Sequence, residues 1–504
     1  MSAATSPGAP STRRGVAVIV VGAGFGGIAA AIELRRHGIE DVTILERAPE
    51  LGGTWYYNTY PGCACDVASQ LYSFSFAQRR DWKRVCSPAA EIHEYLREVA
   101  RDYGVEELIR AGTTVTGCSW DSERCRWVVE TAERGSFEGD ALVLATGQLD
   151  EPAIPAIEGA ERFAGHSFHS AHWDHDYALA GKRVAVIGTG ASAVQFVPLI
   201  APACARLSVF QRTGNWFLPR ENSPYPRLLR RAIETVPGLQ ALRRRFIYEY
   251  AESLTLAIRH PRTVGRLYAA ASTAFMRKQL PDRALRARVW PNYVFGCKRV
   301  LFSSDFLPAL QRENVELVTE HIEELTPQGI RTADGELREL DCVIWATGFQ
   351  TNRFMVGIEV HGTGEESLRE RWASGPHAHL GMTVPSFPNM FVMYGPNTNT
   401  SGGSIIVYLE AQAAYIRQAL EQLRDRGAAA IEVREEVEAA SDRAVQQRFA
   451  GTAWLDCQSW YRDENGRIVA NWPGYMREYV ERTRTLDPDE FRFARLRERV
   501  TAGS

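Results

Sequence analysis

Two glycine-rich turns, Gly22–Gly27 and Gly188–Ala193, constrain this chain more than any other feature in it. Val16–Val21 is a run rich in β-branched residues, the mark of a strand buried on both faces of a parallel sheet. Gly22-Ala-Gly24-Phe25-Gly-Gly27 follows, and Ile28–His37 then has helical spacing. Strand before and helix after is the context in which G-x-G-x-x-G signals a dinucleotide site. Gly22 permits the tight turn, and Gly24 lets backbone approach a pyrophosphate at the helix N-terminus, where free N–H groups point. Asp41–Leu45 reads as the second strand and ends in Glu46, an acid placed to accept from an adenosine ribose. The pattern returns at Arg183–Ile187, Gly188-Thr189-Gly190-Ala191-Ser192-Ala193 and the helical stretch Val194–Ile200. Here the second strand, Leu207–Phe210, runs into Gln211-Arg212-Thr213. A cation there favours the extra 2′-phosphate of NADP(H), although a lone Arg in this position also reads as ordinary surface. The fold class expected is α/β, with two Rossmann-like dinucleotide-binding domains.

Composition removes several other classes. A length of 504 residues calls for two or three domains. The net charge of −3 gives no global reason to expect nucleic acid as a partner. Nine cysteines include no C-x-x-C pair, and Cys63 and Cys65 lack a clustered His, so no metal site is expected. Reduced thiols in a cytoplasmic enzyme are the simplest account of them. Arg13-Arg14 before Val16–Val21 imitates a secretion signal, but the apolar run is too short for one. Met1–Thr12 reads as a disordered tail. No apolar stretch is long enough for stable membrane insertion.

The rest of the chain fits around the two turns. Glu91–Tyr103 reads as an amphipathic helix, and Val115–Trp120 with Trp127–Thr131 as a β-meander turning at Asp121–Arg124. Ala141–Ala145 is a further apolar strand that ends in Ala145-Thr-Gly147, and Cys342–Trp345 runs likewise into Ala346-Thr-Gly348. Pro152 and Pro155 open a linker between the two nucleotide folds. Residues 220–299 hold 15 Arg and 2 Lys against 4 Glu and 1 Asp, a net of +12. Helical spacing runs through Leu228–Phe246 and Leu254–Met276. This face is either simply solvated or attracts NADPH or an anionic membrane surface. Val315–Val318 reads as a strand, Phe391–Asn397 as a last strand and its loop, and Ile405–Leu423 as a helix. Cys457–Trp472 reads as a hairpin with a type I′ turn at Asn465-Gly466. The expected division is a tail to 15, a first domain over 16–150, a linker over 151–175 and a second domain over 176–219 and 296–350. A helical insertion occupies 220–295 of that second domain, and 351–504 returns to the first.

The linker carries the family resemblance. Phe163, Gly165, His169, Trp173 and Asp174 fit F-x-G-x-x-x-H-x-x-x-W-(P/D), so the chain resembles type I Baeyer–Villiger monooxygenases over roughly Val16 to Tyr479. The resemblance implies FAD on the first fold and NADPH on the second. It implies flavin contacts from Thr54 and Trp55 in Leu51-Gly-Gly-Thr54-Trp55, and an adenine contact from Val115. Phe25, Tyr72 and Gln195 complete the implied cofactor contacts. Asp66, which by itself reads first as a turn acid after Pro61-Gly62, is implied to be an active-site carboxylate. Lys298 is implied near the NADP phosphate, Arg299 beside the flavin, and Trp460 on a mobile loop reaching NADP. Relatives commonly carry Arg where this chain has Ala64.

The implied chemistry follows from these parts. NADPH reduces FAD, O₂ adds at flavin C4a, and the peroxide attacks a ketone to form a tetrahedral adduct that collapses to an ester or lactone. The adduct is anionic, so Arg299 stabilises it and Asp66 orients Arg299. Disulfide reductases also pair two nucleotide folds, but they need a reactive cysteine pair near the flavin. Oxidation of a soft nitrogen or sulfur is the alternative activity, and a flavoprotein that wastes NADPH as hydrogen peroxide is another. The expected partners are a small ketone and O₂, with the chain a monomer or weak oligomer.

Overall fold

The structure is a computed structural model that describes residues 15–220, 222–400 and 402–495; the expected N-terminal tail lies outside them. Two five-stranded parallel sheets organise it. The first runs, edge to edge, Met390–Val392, Ala141–Leu144, Val18–Val21, Val42–Leu45 and Ile109–Arg110. The second runs Val315–Val318, Arg206–Phe210, Arg183–Ile187, Cys342–Trp345 and His166–His169. In both, the fingerprint strand is central, and in the first it is buried along its whole length. Each Val or Ile so buried contributes about 1.5–3 kcal/mol, which fixes the centres of the sheets. Register then aligns the ends that carry chemistry: Val21 pairs with Leu45 and Leu144, and Ile187 pairs with Phe210 and Trp345. The helix Phe25–Arg36 covers the first sheet and packs on Ile405–Asp425, so the C-terminal part of the chain completes the first fold.

The meander forms over Val115–Asp121, Arg126–Thr131 and Gly135–Gly139. Helices occupy Arg227–Thr235, Leu239–Arg259, Val264–Gln279 and Arg283–Val289. Their bounds differ from the expected Leu228–Phe246 and Leu254–Met276 because Pro237-Gly238 and Pro261 break those stretches, Gly238 taking a φ of +78°. Part of this set clasps the first fold: Gln240 donates to the Arg79 carbonyl at 2.9 Å, and Arg244 to the carbonyls of Gln70 and Ser73.

Three further expectations are corrected. The linker is not only a connection, because His166–His169 within it forms the edge strand of the second sheet. Four residues with two polar ends carry too little pattern to be read as a strand. The Asn465-Gly466 reversal is not a type I′ hairpin. Gly466 alone has positive φ, a single bridge joins Arg462 to Ile468, and Asp463 closes the turn by accepting from the backbone N–H of Arg467. Finally, the nine cysteines are not all thiols. Cys297 and Cys457 form a disulfide with Cα atoms 6.1 Å apart, across a sequence separation of 160 that no local pattern reports. Among the described residues, no helix is long and apolar enough to cross a membrane, and no cluster of His, Cys, Asp and Glu is placed to hold a metal.

Candidate active site

A cleft of about 340 Å³ opens at the carboxyl ends of the first sheet's strands. Gly22, Gly24, Phe25, Glu46, Thr54, Trp55, Tyr72 and Val115 line it, all expected there, together with Arg47, Asp150 and Tyr394, which were not. Its floor admits no side chain. A Cβ on Gly22, where φ is +104°, would lie 2.5 Å from the Ala145 carbonyl oxygen, and one on Gly27 would lie 1.9 Å from that of Gly22. Gly24 and Gly53 stack backbone on backbone. Glu46 is buried and accepts from the N–H groups of Ala23 at 2.7 Å and Ala48 at 2.8 Å, so the turn itself aims it. Trp55 donates its indole N–H to the Tyr72 hydroxyl at 3.2 Å, and Phe25 meets Tyr72 edge-on, which sets one aromatic wall. At the other end Arg47 pairs with Asp150 at 2.6 Å. Burial nevertheless pushes the Asp150 carboxyl up to about 6.

The second fingerprint repeats the first. A Cβ on Gly188, with φ of +109°, would lie 2.4 Å from the Ala346 carbonyl oxygen. Thr189 is steadied by Asn215, whose side chain donates to the Thr189 carbonyl at 2.9 Å. Gly190 faces open space, and Ala191, Ser192 and Ala193 lead into the helix Ala193–Ile200. Gln211 is buried and spends its amide on the Arg288 carbonyl at 2.9 Å. Arg212 stands exposed beyond it, next to Thr213. Lys298 lies close enough to Arg212 that burial and the neighbouring guanidinium together depress its pKa. Among the described residues neither cation has a carboxylate partner. Two like charges this close, with no carboxylate between them, attract anions.

The two folds meet at Asp66 and Arg299. Arg299 donates to the Asp66 carboxylate at 2.5 Å, and that charge raises the guanidinium's pKa above its ordinary value despite the opposing cost of burial. The Arg299 side chain remains 44% exposed. Tyr394 and Tyr461 lie within its field, and burial pushes the Tyr394 phenol up to about 12 against the pull of Arg299. Tyr461 is the residue that sequence reasoning missed. Trp460, expected over the cofactor, is 37% exposed and meets Tyr461 at a tilt, ring centroids 4.2 Å apart, while Tyr461 is buried toward the ion pair.

Gln195 joins the two folds. Its amide clamps Ala64, accepting from the backbone N–H at 2.9 Å and donating to the carbonyl at 3.2 Å. Trp173 packs on Phe168 and Phe196, and Phe196 packs on Tyr60. Arg220 donates to the Cys65 carbonyl at 2.9 Å. The Tyr60–Asp66 segment is therefore held from three places in the second fold.

Comparison with known proteins agrees with this geometry. The family described as pyridine nucleotide-disulphide oxidoreductase matches residues 19–231. A Baeyer–Villiger monooxygenase of Streptomyces coelicolor is 41% identical over 95% of this chain and 93% of its own length. The chain belongs to the Baeyer–Villiger monooxygenase family. Among solved structures, the closed form of cyclohexanone monooxygenase superposes with a TM-score of 0.86 at 27% identity, covering 96% of this chain and 100% of that one. The OTEMO complex with FAD and NADP gives 0.85 at 26% identity, covering 95% and 99%. The protein is thus an oxidoreductase of the flavoprotein monooxygenase type with two nucleotide folds.

Proposed function

We propose that the enzyme uses NADPH and O₂ to convert a ketone into an ester or lactone, with FAD in the first cleft and NADPH along the second fingerprint. The Arg299–Asp66 pair carries this reading, because it puts a permanent cation where the two folds meet. The residues fit FAD: the cleft has a floor that any Cβ would fill, an aimed ribose acceptor in Glu46 and the aromatic wall of Trp55 and Tyr72. When bound, FAD takes hydride from NADPH and activates O₂.

The chain's own residues do the rest. Gly22 and Gly24 let backbone N–H groups reach a pyrophosphate, and Val115 borders the adenine end. Thr54, next to Trp55, holds the flavin side. Gly188–Ala193 cradles the second pyrophosphate, and Arg212, Thr213 and Lys298 take the 2′-phosphate. Arg299 holds negative charge on the oxygen that was the ketone carbonyl. A guanidinium stays protonated throughout, so it stabilises charge without transferring a proton. Tyr394 and Tyr461 cover part of it, which lowers the local dielectric on that side and strengthens the interaction. Asp66 keeps the fork aimed. Oxidation of nitrogen or sulfur develops no such oxyanion and has less use for this arrangement.

Arg299→Ala tests the reading. It should still take hydride from NADPH, while ester formation falls by about 10²–10³-fold. Arg299→Lys should rescue poorly, since an ammonium cannot reproduce the planar fork. Stopped-flow flavin reduction and mass detection of product, over a panel of ketones, amines and sulfides, separate the steps. An Arg299→Ala enzyme that makes ester at the normal rate removes the residue from the reaction.

A further inference from the structure

Seven of the nine cysteines are free, and the remaining two join distant parts of the chain at the site itself. Cys297 is fully buried and stands immediately before Lys298 and Arg299. Cys457 is half-buried, three residues before Trp460 and four before Tyr461. Asp456 and Gln458 on either side of it are exposed. The segment it tethers is otherwise weakly held. Among the described residues, hydrogen bonds from 456–460 stay within their own turn: Asp456 donates to the Ala453 carbonyl, and Arg462 donates to that of Ser459. The buried Ser459 hydroxyl has no partner. Beyond it the chain is anchored again: Tyr461 packs on Ile258 and Trp454, Asn352 donates to the Arg462 carbonyl at 2.9 Å, and Asn397 and Asn399 hold Ile468 and Asn471. One covalent bond, beside the packing of Tyr461 on Ile258, therefore ties the segment that carries Trp460 and Tyr461 to the one that carries Lys298 and Arg299.

We propose that Cys297–Cys457 is a site of reversible thiol–disulfide exchange that sets how tightly the enzyme retains NADP. The half-buried Cys457 sulfur is the point of attack. A glutathione-type thiolate attacks it, forming a mixed disulfide and releasing the Cys297 thiolate. A second thiolate attacks the glutathione sulfur, giving the oxidised dimer and the Cys457 thiolate, and both protein thiolates take protons from water. Two electrons pass from two thiols to the protein disulfide, and the oxidised glutathione dimer reverses the sequence. In the bonded state Trp460 and Tyr461 stay over the second fold. In the reduced state 456–460 opens as a local unit, because no hydrogen bond from it spans to that fold and only the packing of Tyr461 on Ile258 remains.

The effect on NADP rests on the assignment of NADPH to the second fingerprint, so the experiment reads the tether in two ways. FAD-loaded enzyme, denatured without reductant and treated with a maleimide, should take up seven adducts, and nine after incubation with excess reduced glutathione. Returning the protein to oxidised glutathione should restore seven. On native enzyme, reduction should raise the Kd for NADP⁺ about tenfold, within the usual range of coupling between sites. Trypsin cleavage after Arg462 should speed up in parallel. Cys457→Ser should match the reduced enzyme in both respects and ignore reductant, while Cys204→Ser should behave as wild type. Nine adducts that persist in oxidised glutathione overturn the proposal. So do seven adducts with cleavage at Arg462 indifferent to reduction. Cleavage that responds while neither form binds NADP⁺ keeps the tether and removes the NADPH assignment instead, overturning the claim about retention.

Discussion

The two nucleotide folds are built to one plan and differ where their ligands would differ. In each, the first glycine of the turn has positive φ and presses on the carbonyl of an Ala-Thr-Gly strand end: Gly22 on Ala145, Gly188 on Ala346. The third position differs. A Cβ at Gly27 would strike the Gly22 oxygen, whereas Ala193 already carries one and is fully buried. The first helix therefore sits closer to its turn than the second. By register Glu46 corresponds to Gln211, since Leu45 and Phe210 both end the strand beside the fingerprint strand. One fold offers a buried acid there. The other offers a neutral amide already hydrogen-bonded, with Arg212 beyond it. The charge at this corner, rather than the glycines, distinguishes a ribose hydroxyl from a ribose phosphate.

The sharpest way to break the comparison is to exchange the third positions. Gly27→Ala must displace backbone, and overpacking of this kind costs about 1–3 kcal/mol or more, so the variant should lose FAD or fail to accumulate. Ala193→Gly removes a methyl group and adds backbone freedom, costing about 0.5–1 kcal/mol, and should keep the flavin. Visible absorbance of the purified proteins reads both. Equal flavin content in the two variants would show that the closeness of the first helix has no consequence.

The charged corner gives the next effect. Arg212→Ala should raise KM for NADPH by about 10–100-fold, the value of a charge-assisted hydrogen bond of about 1.5–3 kcal/mol. KM for NADH should barely move. If both change alike, Arg212 does not meet the 2′-phosphate, and Lys298 becomes the residue to vary.

What was legible in the chain follows from the same physics. Strands buried on both faces announce themselves in four or five apolar residues, so Cys342–Trp345 was found to the residue. The glycine turns were legible because their neighbours in sequence are their neighbours in space. Contacts between the folds were not. The Gln195 clamp on Ala64 spans 131 residues, and the Trp173–Phe196–Tyr60 stack joins three segments. Tyr461 lay hidden beside a more conspicuous tryptophan, and only packing shows which ring turns inward. The breaks at Pro237-Gly238 and Pro261 were written in the sequence, and the helical period through the basic segment masked them.

The smallest expected effect lies at the edges of the sheets. Beside its Ala-Thr-Gly strand the first sheet has apolar Met390–Val392, whereas the second has His166–His169, with His169 paired to Trp345. His169 is 4% exposed, and its ring accepts from the Ala171 N–H at 3.1 Å. Burial, with a smaller push from His172, lowers its pKa to about 4. An unfolded chain would bind a proton here near the ordinary histidine value of about 6.5, while the folded protein does not until about 4. Stability from this group is therefore complete above pH 6.5 and is lost as pH falls toward 4, by at most about 1.4 kcal/mol per pH unit. His169→Asn keeps an acceptor for Ala171 and cannot titrate. Thermal midpoints at pH 7.5, 6 and 5 should fall less steeply for the variant than for wild type. The extra fall in wild type should appear below pH 6.5 and not above it. Parallel curves would mean that the edge strand opens before its histidine is protonated, and the second sheet would then be no more acid-sensitive at this edge than the first.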